Sequence, residues 1–133
     1  MSSYYYGVAT RIMMAILSYG TTQISKVDPK FKEIIKNENL VIQWEVKKGG
    51  QCSYFNIENG KFHAVRDQKH DKPDIIIAMK DPKIAVNILK GTEEILQKEV
   101  EAGNVEVIGD PNKVEQLRPI LGIISSYLGG LRD

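Results

Sequence analysis

One cysteine, two histidines and one tryptophan are all that this chain of 133 residues holds of the rarer side chains. The lone Cys52 excludes an internal disulfide and fits a reducing compartment. Charge of one sign is missing too. Lys and Arg number 18 against 17 Asp and Glu, a formal net charge of +1. That balance removes any whole-molecule attraction to a phosphate backbone, so no nucleic-acid partner is expected. Long hydrophobic runs are absent as well. The unbroken stretch Ile12 to Leu17 is far too short to span a bilayer, and Arg11 interrupts the apolar start. The expectation is a soluble cytoplasmic protein. No repeat, linker or low-complexity tract divides residues 1–133, so one domain is expected. A chain of this size buries about two-thirds of its unfolded surface and needs no metal to fold.

What is present is periodicity. Residues 3–19 predict a helix, with Tyr5, Val8, Ile12, Ala15, Ile16 and Tyr19 in one apolar stripe that Met13, Met14 and Leu17 widen. Gly20 is the expected stop. Asp28-Pro29 then reads as an N-cap and first helical residue, with Phe31, Ile34 and Ile35 inward. From Leu40 the period becomes two: Leu40, Ile42, Trp44 and Val46 share one face. Gly49-Gly50 turns the chain into a strand carrying Phe55 and Ile57. Asn59-Gly60 turns it again, predicting an antiparallel meander over residues 40–66.

A fourth strand follows, with Ile75, Ile77 and Met79 on one face. Asp81-Pro82 opens a helix with Ile84, Ile88 and Leu89 inward and Gly91 as its end. The next helix presents Leu96 and Val100. Val105 and Val107 mark a fifth, short strand, and Asp110-Pro111 opens a helix that Pro119 breaks or kinks. A markedly apolar helix over residues 119–130 ends the series.

Chemistry has few places to sit. His63 falls within the third strand, and His70 lies in a polar loop with Asp67, Asp71 and Asp74. Their spacing matches no metal motif, and a solvated loop accounts for them. Cys52 has no base beside it, so a packed strand residue is expected rather than a nucleophile. Asp81 and Asp110 each precede proline, and capping accounts for both. Glu93, Glu94, Glu99 and Glu101 read as a solvated face with Lys98 among them. Tyr54, Phe55 and Phe62 stand near Lys47, Lys48 and Lys61, but acidic residues intersperse and the aromatics serve a core. No catalytic residue, metal or cofactor is expected. Apolar surplus remains. Met13, Met14 and Met79 suit contacts of variable shape. The wide faces either close fully as core or leave a cavity for an apolar ligand.

The order of these signals resembles the sterol carrier protein type two family of lipid-binding domains. The resemblance rests on Asn59-Gly60-Lys61, Pro73-Asp74-Ile75, Ile88-Leu89-Lys90-Gly91 and the run Gly103 to Asp110, and covers residues 28–121. It implies an α+β fold in which helices cover one face of a five-stranded, mostly antiparallel sheet, with a lipid held between the layers. The helix at 3–19 and the apolar segment at 119–130 lie outside it, as lid, membrane-surface contact or homodimer face.

The function so implied is non-catalytic binding and transfer of an apolar lipid: a sterol, a fatty acyl chain or an isoprenoid. The expected walls are Trp44, Phe55, Ile57, Ile77, Met79, Ile84, Ile88, Leu96, Val100, Leu121, Ile124 and Leu128. The alternative is an accessory or dimerisation module that presents a lipid substrate to a partner enzyme. A small enzyme working in the cavity is a third reading, with Glu45 and His63 the side chains to check.

Overall fold

A computed structural model describes residues 3–89 and 93–132, with side-chain surroundings over residues 4–89 and 94–127. The elements run α1 (Ser3–Val27), α2 (Pro29–Ile35), β1 (Asn39–Val46), β2 (Cys52–Glu58), β3 (Lys61–Arg66), β4 (Ile75–Met79), α3 (Pro82–Leu89), α4 (Glu93–Glu101), β5 (Val105–Gly109) and α5 (Pro111–Arg132).

The strands form one sheet in the order β3-β2-β1-β4-β5. Three of its pairings are antiparallel, and β1 with β4 is parallel. The Asn59-Gly60 turn makes the β2–β3 hairpin as expected, both residues taking positive φ (50° and 81°). Ile42, Trp44, Phe55, Ile57, Ile75, Ile77 and Met79 form the covered face. They pack against Leu17 of α1, Phe31 and Ile35 of α2, Ala85 and Leu89 of α3, and Leu117 and Ile120 of α5. On the opposite face the loop at 67–74 crosses Gln43, whose Oε1 accepts from the His70 N–H at 2.8 Å. The His70 ring also meets Tyr54 edge-on.

Three aspartates start helices as their sequence positions predict. Asp28 Oδ1 accepts from Phe31 N–H, Asp81 Oδ1 from Ile84 N–H, and Asp110 Oδ1 from Asn112 N–H. Two expected helix ends do not occur. Gly20 keeps helical φ, so α1 runs on to Val27 and ends only where Asp28 becomes extended (φ −85°, ψ 115°). A glycine stops a helix by turning left-handed, and Gly20 does not. Pro119 lies inside α5 at an exposed position, and the helix continues through it. The expected end at Gly91 lies outside the described residues.

The expected α1 stripe points outward. Thr10, Met14, Leu17, Ser18 and Thr21 are buried, whereas Ile12 is 56% and Tyr19 is 70% exposed. The inward face carries small hydroxyl residues that allow close approach to α3. Thr10 Oγ1 donates to the Pro82 carbonyl at 3.2 Å.

Candidate functional site

Two hollows border α1. The first is an apolar groove of about 300 Å³ between α1 and α5, lined by Ile16, Leu17, Gly20, Thr21, Gln23, Ile24, Val27, Ile124 and Tyr127. Gly20 makes the room, since a Cβ there would meet nothing within 4 Å. At one wall the Tyr127 hydroxyl donates to Asp28 Oδ2. This bond, followed by the Phe31 N–H, holds the Asp28 carboxyl below the ordinary carboxylate range. The same bond raises the Tyr127 hydroxyl above its ordinary value.

The second hollow is smaller, about 180 Å³. It lies between α1 and the sheet, against Thr10, Met14, Trp44, Val46, Gln51, Ser53 and Met79. Arg11 and Asp67 also line it, and their side chains pair at 3.2 Å. Both are well exposed (60% and 67%), so the pair adds little stability. Trp44 Nε1 and Gln51 Oε1 are buried without a hydrogen-bond partner. An unmet buried donor or acceptor costs about 1–3 kcal/mol, so this hollow suits a group with a polar tip or a water.

A third depression, beside Lys47, Lys80, Val100, Asn104 and Glu106, is open and polar. The Lys47–Glu106 ion pair at 3.3 Å crosses it.

The expected lipid walls are divided among these places. Ile124 lines the groove, Trp44 and Met79 line the smaller hollow, and Val100 borders the polar depression. Phe55, Ile57, Ile77 and Ile88 are buried core residues, with Ile84, Leu96 and Leu121 half-buried against them. None of these seven lines any of the three hollows. The Leu128 side chain lies outside the described ones. The groove residues that the sequence reading missed had a legible signal. Ile16, Gly20, Ile24 and Val27 recur at steps of four, four and three, and reading Gly20 as a stop cuts the series short.

Groups considered for chemistry are scattered. The Glu45 carboxylate is held by Gln43 Nε2 on the sheet face away from the helices. His63 is exposed, and Cys52 is half-buried at the rim of the smaller hollow. Among the described residues no group of three or more His, Cys, Asp or Glu is placed to hold a metal ion. Among them, too, no helix is long and apolar enough to cross a membrane.

The architecture is similar to that of several solved proteins. A ubiquinone synthesis protein described as UbiJ-SCP2 superposes with a TM-score of 0.63 at 13% identity, over 89% of this chain and 96% of that one. Sterol carrier protein 2 from Yarrowia lipolytica, in its apo form, gives 0.59 at 20% identity over 79% and 90%. A double mutant of the sec-alkylsulfatase PisA1 gives 0.53 at 14% identity; 73% of this chain matches 17% of that one. These likenesses bear out the sterol carrier protein 2-like fold that the order of motifs implied. No curated protein matches the sequence. The alkyl sulfatase C-terminal family model matches residues 27–125, from the end of α1 into the second half of α5. With that match over most of its length, the chain belongs to the alkyl sulfatase C-terminal family.

Proposed function

We propose that this domain binds the hydrocarbon part of a lipid in the α1–α5 groove and carries it without chemistry of its own, in a reducing cell interior. One observation carries the reading: the groove walls are almost wholly carbon, and Gly20 faces open space that a long side chain there would occupy. Its volume of about 300 Å³ falls at the lower end of ligand pockets. For scale, a dry cavity of about 150 Å³ takes up benzene. Each methylene transferred from water contributes roughly 0.8 kcal/mol, so a chain of several carbons offsets the entropy lost on binding.

On this reading the lipid contacts narrow from the twelve expected side chains to Ile124, with Ile16, Leu17, Ile24 and Tyr127 beside it. Trp44 and Met79 receive a chain end or a small polar tip in the second hollow. The reading is supported by the fold shared with the sterol carrier protein 2 structure, whose name states a carrier role for that protein. The test is mass spectrometry of lipid retained by the protein under native conditions, paired with thermal melting in fatty acid or prenol. A protein that carries no lipid and melts unchanged overturns the proposal.

A second reading is favoured by the family match and by the sulfatase likeness, in which the common fold is 17% of a longer chain. The same groove would then hold an apolar substrate for a partner enzyme rather than ferry it between membranes. Transfer between vesicles by this chain alone separates the two.

A further inference from the structure

The outward face of α1 is apolar where a surface helix is ordinarily charged. Tyr5 is 49% exposed, Val8 42%, Ile12 56%, Ile16 55% and Tyr19 70%. These five succeed one another at steps of three, four, four and three. The series therefore reads the same in both directions about Ile12: Val8 and Ile16 stand four residues away, Tyr5 and Tyr19 seven. Such a pattern suits a two-fold interface, in which residue i meets j and j meets i. When two antiparallel copies of α1 cross at Ile12, Tyr5 faces Tyr19 of the second copy and Val8 faces its Ile16. Ile12 meets itself.

Charge does not oppose this pairing. Between Ser3 and Ser25 the only charged side chain of α1 is Arg11, and Asp67 already holds its guanidinium at 3.2 Å. Size also suits it. From Tyr5 to Tyr19 the face runs about 21 Å. The exposed parts of its side chains, with Tyr4, amount to on the order of 600 Å². That is the upper range for a patch on a monomer, and with a polar rim it approaches the ~800 Å² that each partner buries in a standard interface. A membrane-surface helix would instead carry a basic polar face. Here the only other base on α1 is Lys26, at its end.

We propose that α1 is a self-association surface, on which two copies of this chain pair antiparallel about a two-fold axis at Ile12. Ile16 also borders the α1–α5 groove, so the seam and the groove share one wall, and the dimer is tested on the lipid-free chain. Sedimentation of the full chain at micromolar concentrations should show a dimer. Ile12→Glu and Tyr19→Lys should each weaken it by at least about tenfold, because each places a charge in the centre or at the end of an apolar seam. Both positions face solvent, so far-UV circular dichroism and melting of the monomer should stay unchanged. In a Cys52→Ser background, Ile12→Cys should couple to itself with a short bismaleimide. Val8→Cys should couple to Ile16→Cys in a mixture, and not to itself. A wild-type chain that stays monomeric overturns the proposal, as does a dimer indifferent to both charge substitutions or a Val8→Cys protein that self-couples. A monomer that binds phosphatidylcholine vesicles through Ile12 also overturns it, assigning the face to a lipid surface.

Discussion

The hydroxyl of Tyr127 on α5 donates to the carboxylate of Asp28, while the other oxygen of that carboxylate caps α2 through the Phe31 N–H. One side chain thus starts a helix and ties down the last one, at the edge of the candidate groove. The Asp28 pKa lies below its ordinary value, so its contribution to stability is present above about pH 4 and fades as the pH falls through the lowered value. The Tyr127 pKa lies above its ordinary value. Its contribution is complete below about pH 10 and fades as the pH rises through the raised value. Tyr127→Phe should therefore melt lower than wild type at neutral pH, and the difference should shrink at both extremes. Thermal melts across pH check this; a difference that stays constant with pH would disprove the linkage.

Gly20 should respond oppositely to two substitutions. It sits inside α1 with helical φ and open space around its Cβ position. Gly20→Ala should stabilise the fold by up to about 1 kcal/mol through helix propensity. Gly20→Leu should fill the groove and abolish lipid retention while leaving the fold intact. Melting temperature and bound-lipid mass spectrometry read the two effects separately.

Gly109 should tolerate nothing larger. A Cβ there would lie 2.7 Å from the Asp74 carbonyl oxygen and 3.4 Å from Ile75 Cα. Asp74 cannot easily give way, since its N–H donates to the Val41 carbonyl and its Oδ2 accepts from the Val41 N–H. Gly109→Ala should lose about 1–3 kcal/mol in urea unfolding, with β5 separating from β4 first by hydrogen exchange.

Ile77 tests whether the expected lipid wall is instead solid core. It is fully buried within the main cluster. Ile77→Ala should cost about 2–5 kcal/mol, with lipid retention unchanged in whatever fraction stays folded. A variant that keeps its stability but loses lipid would return Ile77 to the ligand site.

The strands and caps were the most legible parts of this chain. Alternation at Leu40, Ile42, Trp44 and Val46, the Asn59-Gly60 turn, and Asp before Pro at three helix starts are local signals, and local chemistry decided them. Which strand lies beside which was not legible, because the β1–β4 pairing joins residues such as Ile42 and Ile75, far apart in the chain. The α1 face misled for a different reason. Between Ser3 and Ser25 α1 holds one charged residue, so charge does not mark its outside, and contact with α3 through Thr10 selected the face of small hydroxyls over the face of Tyr and Ile. The α1 wall of the groove was written in the spacing of Ile16, Gly20, Ile24 and Val27, but the partner wall from Ile124 and Tyr127 was not, because α1 and α5 lying together is a fact of tertiary packing.

The central place of β1 bears on the order of assembly. Its antiparallel neighbour arrives after a short turn and brings β3 with it, so that half of the sheet closes through near contacts. The parallel seam to β4 must wait for the loop at 67–74 to swing across the back. Loop-closure entropy makes that second step the costlier one, and until β4 docks the β1 edge of the sheet has no partner strand.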